Sequence, residues 1–338
     1  MTPIPHLMCH WEITYKCNLK CVFCATRLNQ GAWQPETTTA QALEIVSQVA
    51  GMGAKILNIV GGEPTTRKDL PEIIKHARSL GARVAVTTNG VINDEQRGRL
   101  LGADVIRVSL EGAPELNSRL RRLAEGFDTT VAAVNTLRYL VNHNKTPMIA
   151  STLSSQTRNE DIRYLVEIAR ELGLQVILNP VGIGFSEKRE GFTHADREKR
   201  RKQFADVMLP LKVSLEKIDE FHRLYPESIS SGKPALSILK MGGLEKFGCL
   251  AMNTAICIKP DGSIVMPCTE FPEVVEKNDD LHAVYYGKKA RQARKDQGKY
   301  WFCENCQLTC MMMSTSLVRL SPLISIARQY LPQVVGRQ

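Results

Sequence analysis

Short runs, several rich in Val and Ile, alternate with amphipathic stretches through the first two thirds of the chain. The runs Met8–Thr14, Ile56–Val60, Arg83–Thr88, Val105–Leu110, Met148–Leu153 and Gln175–Pro180 predict strands. Between them, Ala40–Ala50, Leu70–Leu80, Asp94–Leu101, Phe127–Val141 and Asn159–Leu172 predict helices. In the last of these, Ile162, Leu165, Val166, Ile168, Ala169 and Leu172 recur at helical spacing. Gly81, Gly102 and Gly173 stand where C-terminal caps belong. Such alternation builds a parallel sheet with right-handed crossovers. The six units predict an α/β fold in the form of an open (β/α)6 barrel, with an open doubly wound sheet as the alternative. In both, ligands bind at the C-terminal edge of the strands. Chemistry is therefore expected in the loops that follow the strands.

From about Gly182 to Lys240 the pattern turns charged and helical. A cysteine-rich module follows from about Gly242. It holds a predicted hairpin, Ala255–Lys259 and Ser263–Met266, turning at Pro260-Asp261-Gly262. The tail Leu317–Val335 reads as an amphipathic helix. The expected division is residues 1–215 for the barrel and 216–338 for linker helices plus a small α+β module.

Composition narrows the class. A hydrophobic share of 43% in 338 residues supports a real core. No long apolar run and no secretory signal are visible, so the expected location is the cytoplasm, with no membrane partner. The net charge is +9. Its basic residues are spread out, and the dense run Glu198-Lys199-Arg200-Arg201-Lys202 reads as a helix surface. Nucleic acid is therefore not expected as a partner. An anionic cofactor or substrate would suit the charge.

Cysteine changes the picture most. Cys9, Cys17, Cys21 and Cys24 lie near the start, and Cys249, Cys257, Cys268, Cys303, Cys306 and Cys310 near the end. The 224 residues between the groups hold none. Without an export signal, such cysteines suggest metal or redox chemistry. Two separate metal centres are the simplest reading. Cys17-x-x-x-Cys21-x-x-Cys24 directly follows the first predicted strand. Three thiolates so close can wrap one iron–sulfur cubane and leave one iron open to a small molecule. A structural zinc site ordinarily needs a fourth ligand, and none lies nearby. Cys9, on the strand, reads as a small buried hydrophobe.

This spacing resembles the signature of the radical S-adenosylmethionine (SAM) superfamily, as do the preceding residues Trp11 to Lys20 and the aromatic Phe23. The resemblance implies a [4Fe–4S] cluster on Cys17, Cys21 and Cys24, and Phe23 against the adenine of SAM. Gly61-Gly62-Glu63-Pro64 resembles the motif that receives the SAM amino group, with Glu63 as an acceptor. Thr87-Thr88-Asn89-Gly90 is similar to the family's Thr-Asn-Gly, which implies that Asn89 faces the pocket. Ser109-Leu110-Glu111-Gly112 resembles Ser-x-Asp-Gly, with Ser109 on the SAM ribose or carboxylate and Glu111 replacing the usual Asp. Among Arg119, Arg121 and Arg122, Arg121 aligns best with the arginine that pairs with the SAM carboxylate. The implied fold is a partial (β/α)6 radical SAM barrel with a C-terminal iron–sulfur module. The implied chemistry is a 5′-deoxyadenosyl radical that removes a hydrogen atom from an unactivated carbon. A reducing partner such as ferredoxin or flavodoxin is implied with it.

The segment Cys257 to Cys268, with its Pro267-Cys268 pair, is similar to the auxiliary-cluster modules called twitch and SPASM. It implies one auxiliary [4Fe–4S] cluster, with ligands drawn from Cys257, Cys268, Cys303, Cys306 and Cys310. Zinc stays open on spacing alone. Cys249 stands apart. It reads as a ligand, an inert buried thiol or, most sharply, a hydrogen donor to the substrate radical at the barrel mouth. A donor thiol implies a redox-neutral epimerase. The chain most resembles the radical SAM enzymes of aminoglycoside assembly, which implies epimerisation of neomycin C to neomycin B. Carboxylates for such a polycation could be Glu111, Asp261 and Glu270. The alternatives are a dehydrogenase that passes an electron to the auxiliary cluster, a peptide-modifying enzyme, and a non-catalytic iron–sulfur carrier or sensor.

Overall fold

The computed structural model describes residues 8–24, 26, 33–122, 128–182, 193–230, 233–243, 248–269 and 272–303. Six parallel strands come first: β1 (Met8–Thr14), β2 (Ile56–Gly61), β3 (Arg83–Thr88), β4 (Val105–Ser109), β5 (Met148–Leu153) and β6 (Gln175–Pro180). They are neighbours in sequence order across the sheet. A doubly wound sheet reverses its strand order at a switch point. Within these six strands the order does not reverse, as the barrel-type alternative requires.

The crossovers carry α1 (Thr39–Gly51), α2 (Leu70–Ser79), α3 (Asp94–Gly98), α4 (Pro114–Arg121), α5 (Thr129–Asn142) and α6 (Asn159–Leu172). Helix α1 opens on a capping box, with Thr38 bound to Gln41. Gly173 closes α6 in the left-handed region, at φ +67°. Gly102 is a correction. Helix α3 stops at Gly98, and Gly102 instead gives room to Ile74, whose Cγ2 would lie 3.1 Å from an added Cβ. Helix α4 was not foreseen.

The helices cover one face of the sheet. Cys9, Trp11, Leu57, Ile59, Val84, Val86, Ile106, Val108, Ile149 and Val176 point into that buried layer. Burial also pushes the Cys9 thiol up, as befits an inert apolar side chain. Strand alternation turns His10, Glu12, Asn58, Thr87, Arg107 and Ser109 to the opposite, inner face.

Helices α7 (His194–Gln203), α8 (Leu211–Leu224) and α9 (Lys233–Lys240) follow. The basic run lies on α7, where Arg201 pairs with Glu198 at 3.1 Å. Position 215 falls inside α8. Then come α10 (Ala251–Thr254), β7 (Ala255–Ile258), β8 (Ile264–Pro267), β9 (Pro272–Glu276), α11 (Leu281–Tyr286) and α12 (Lys288–Asp296). The β7–β8 hairpin is antiparallel as expected. The third strand, β9, was not foreseen. Strand β7 pairs in parallel with β1, so one nine-stranded sheet carries both cysteine groups. The expected tail helix Leu317–Val335 lies outside the described residues. Among those described, no helix is long and apolar enough to cross a membrane.

Candidate functional site

A cavity of about 160 Å³ opens where β1 to β4 end. Tyr15, Cys17, Leu19, Cys21, Phe23, Cys24 and Thr26 line it from the loop after β1. Val60, Gly61 and Gly62 line it from β2, Thr87, Thr88 and Asn89 from β3, Ser109 from β4 and Arg121 from α4.

The cysteine loop is tied to its surroundings through the backbone. Lys20 N donates to Arg122 O at 3.2 Å, and Val22 N to Leu120 O at 2.8 Å. The end of α4 thereby holds the loop. Leu19, Cys21 and Val91 pack with Cys17, Phe23 and Cys24. Leu19 N donates to Cys17 Sγ at 3.4 Å and Asn89 Nδ2 approaches it at 3.7 Å. Burial raises the Cys17 thiol and pushes Cys21 up to about 12, with the Arg121 charge opposing the latter. Neutral thiols of this kind lose their protons on binding a metal.

Gly61 and Gly62 let β2 approach the loop. Gly61 has φ +130°, and a Cβ there would lie 2.3 Å from Thr14 O. One added to Gly62 would lie 2.3 Å from Lys16 O. Gly61→Ala is accordingly expected to cost about 1–3 kcal/mol through backbone strain and crowding. Thermal denaturation measures this, and a variant as stable as the parent would contradict the close approach.

Of the expected SAM contacts, Phe23, Gly61, Gly62, Asn89, Ser109 and Arg121 line the cavity. Glu63 departs from expectation. It is fully buried and absent from the lining. Its Oε1 accepts from Thr65 N, Thr65 Oγ1 and Thr88 Oγ1, and its Oε2 from Asn89 N at 2.7 Å. The carboxylate thus joins β2 to β3 and fixes Asn89. Burial, the largest influence, raises its pKa despite those bonds. Arg119 pairs with Glu115 at the surface, at 3.5 Å. Arg121 is 5% exposed and pairs with Glu111. Glu111 also accepts from Thr152 N at 2.6 Å, so it is committed on both oxygens. Sequence reasoning missed Tyr15, Leu19, Thr26 and Val60 in the lining. Only Tyr15 carried a signal, its place two residues before the first thiol.

The second group is gathered by the sheet extension. Cys257 and Cys268 pack with Tyr15, Trp33, Ala251, Ala255 and Val265, against which Cys249, Tyr300, Trp301 and Cys303 also pack. The turn at Gly298 closes over Cys249, since a Cβ there would sit 3.0 Å from Cys249 Cβ. Ala251 N donates to Cys249 Sγ at 3.4 Å. Cys249 is absent from the lining of the first cavity. Cys306 and Cys310 lie outside the described residues, as does Glu270. Asp261 holds the hairpin turn, accepting from Ser263 N at 3.0 Å. Tyr15 is the residue common to both places: it lines the cavity and packs among the second cysteines. Its hydroxyl donates to Glu12, which Lys259 also reaches at 2.5 Å.

Three thiols on one cavity at the C-terminal edge of a parallel sheet define a cofactor-dependent enzyme site. The chain belongs to the radical SAM superfamily, whose model matches residues 11–192. It is 28% identical to the AdoMet-dependent heme synthase of Methanosarcina barkeri over 321 residues, 90% of either chain. It is 34% identical to the Fe-coproporphyrin III synthase of the same organism over 128 residues, which are 37% of this chain and 32% of that one. Its fold superposes on anSMEcpe with bound AdoMet at a TM-score of 0.64 and 16% identity, covering 95% of this chain and 99% of the other. The family uses a [4Fe–4S] cluster and SAM.

The residues fit these groups. The donors Cys17, Cys21 and Cys24 are soft sulfurs on one cavity, as a cluster requires. Buried Arg121 Nε has no hydrogen-bond partner, which a polar ligand in the cavity can supply. Among the described residues, no three potential ligands are already drawn to metal-binding distance.

Proposed function

We propose that this radical SAM enzyme performs a net oxidation of a carboxylate-bearing tetrapyrrole, with an auxiliary iron–sulfur cluster as electron acceptor. The observation that carries this reading is the packing of Cys249, Cys257, Cys268 and Cys303 around Tyr15, which also lines the first cavity. Cys17, Cys21 and Cys24 would hold the first cluster. Cys249, Cys257, Cys268 and Cys303 would be the four ligands of the second. The chemistry that the first cluster and SAM supply when bound is a one-electron cleavage yielding a radical that takes a hydrogen atom from carbon. Phe23, Asn89, Ser109 and Arg121 orient SAM, and the buried walls exclude water. An external reductant such as ferredoxin or flavodoxin starts each turnover.

An electron acceptor near the cavity suits an oxidation. Epimerisation is redox neutral and needs a thiol at the cavity, and the position of Cys249 speaks against that role. The substrate class follows the heme synthase that the chain matches over nine-tenths of both lengths. The net charge of +9 favours an anionic substrate. Glu111 and Asp261, both committed to internal bonds, are poor receptors for a polycationic sugar.

The test is anaerobic turnover with SAM and a reductant in D₂O, offering Fe-coproporphyrin III and neomycin C separately. The expected result is 5′-deoxyadenosine together with a tetrapyrrole product of lower mass. An unaltered tetrapyrrole beside a deuterium-labelled aminoglycoside of otherwise unchanged composition would establish the epimerase instead.

A further inference from the structure

The inner face of the sheet carries a polar row that neither the thiols nor the expected SAM contacts use. His10 of β1 stands in register with Asn58 of β2 on one side and Cys257 of β7 on the other. Asn58 lies 3.0 Å from His10 Nδ1 through its Nδ2, and Arg107 Nη1 donates to Asn58 Oδ1 at 3.2 Å. The hydrogen-bond inventory orders the row. A guanidinium can only donate, so the Asn58 oxygen accepts and its amide NH₂ donates to His10 Nδ1. Nδ1 is then an acceptor, and the imidazole proton belongs on Nε2. His10 and Asn58 are thus neutral groups that hold a cation in place across the inner wall.

Position matters as much as charge. Arg107 is two residues before Ser109 on β4, so both side chains share the inner face, roughly 7 Å apart along the strand. Ser109 lines the SAM cavity. The other end of the row meets Cys257, one of the second cysteine group. The row therefore spans the wall between the place where hydrogen abstraction is expected and the auxiliary site. Arg107 is only partly buried, and Lys259 and Arg121 are more deeply buried than it is. Arg107 thus presents a partly accessible side chain on the inner wall, two residues from the cavity-lining Ser109.

We propose that the His10–Asn58–Arg107 row is a substrate subsite for a carboxylate group, with Arg107 binding it and Asn58 and His10 positioning the guanidinium. For its natural ligand this rests on the tetrapyrrole reading above. A planar guanidinium fork suits a carboxylate through two parallel hydrogen bonds. One group so fixed sets which carbon of the substrate faces the SAM cavity, as a positioning contact should.

The test is equilibrium binding to the iron-loaded enzyme, with two probes. Fe-coproporphyrin III is titrated by its absorbance, and benzene-1,3,5-tricarboxylate, a carboxylate that is not a tetrapyrrole, by calorimetry. Arg107→Gln is expected to weaken binding about 10- to 100-fold, the range for losing a charge-assisted hydrogen bond. Arg107→Lys keeps the charge but not the fork, and should recover only part. Iron content and melting temperature of both variants confirm the fold. If the tricarboxylate binds in an Arg107-dependent way and the porphyrin does not bind, the subsite stands and the tetrapyrrole reading falls. If the porphyrin binds equally to parent and Arg107→Gln, the subsite is overturned and the tetrapyrrole reading survives. If neither probe's affinity depends on Arg107, the subsite is overturned whatever the substrate is.

Discussion

With a second four-iron cluster bound as proposed, replacing Cys249 with alanine is expected to remove about half of the iron from the enzyme. Turnover should stop, while cleavage of SAM in the absence of substrate continues. Cys249 packs on Cys257 and Cys268 beneath the Gly298 turn, and it does not line the cavity of Cys17, Cys21 and Cys24. Losing one of four thiolates leaves a cluster open to solvent and to loss of iron, because second-centre stability depends on the complete ligand set. The first centre is fixed by bonds of its own to the end of α4 and to Asn89, so it should be spared. Iron quantitation and electron paramagnetic resonance of the reduced protein separate the two centres. Full iron content together with stopped turnover would restore the donor thiol and, with it, the epimerase.

Spacing leaves the role of Cys249 open. A short helix, α10, separates Cys249 from Cys257, and only the folded chain shows that Cys249 packs against the second cysteine group. Periodicity served well where the sheet is regular. Strands β1, β3, β5 and β6 and helix α6 have the ends read from their apolar patterns. It failed at α4, which begins at a proline after Ala113, has no side-chain cap and shows the core mainly Leu116 and Leu120. Two apolar positions do not make a visible period. Strand β9 was hidden by its opening proline, its two glutamates and its short run, Pro272–Glu276. The parallel pairing of β1 with β7 was invisible for another reason. It joins residues far apart in the chain, and no local pattern encodes a partner at that distance. Motif residues line much of the cavity because each motif follows a strand end. They could not report that Glu63 is buried in bonds to Thr65, Thr88 and Asn89, since side-chain burial is a tertiary fact.

The pairing of β1 with β7 carries the second large prediction. Lys259→Met is expected to destabilise the fold by about 3–5 kcal/mol, the cost of leaving one buried charge without its partner. Lys259 is fully buried, and its ammonium donates to Glu12, to Thr269 O at 2.9 Å and to Thr269 Oγ1 at 3.2 Å. The rings of Trp33 and Tyr15 lie 5.6 Å and 6.0 Å from it. Removing the ammonium strands the Glu12 carboxylate between β1 and the hairpin, where Tyr15 and Thr269 alone cannot neutralise it. The double variant Glu12→Leu, Lys259→Met removes both charges and should regain much of the loss, because an apolar pair can replace a buried ion pair at little cost. The parent and the double variant also differ in acid. Burial opposes ionisation of Glu12, but the Lys259 charge and the bonds from Lys259 and Tyr15 prevail and hold its pKa below the usual 4.5. A depressed carboxylate gives stability that is present above its unfolded-state pKa and lost as pH falls through the folded one. The parent should therefore lose stability as pH drops below the ordinary glutamate range, and the double variant should lack that part of the slope. Melting curves across this range decide the matter, since a Lys259→Met protein as stable as the parent would mean that the ion pair does not hold the auxiliary hairpin to the barrel.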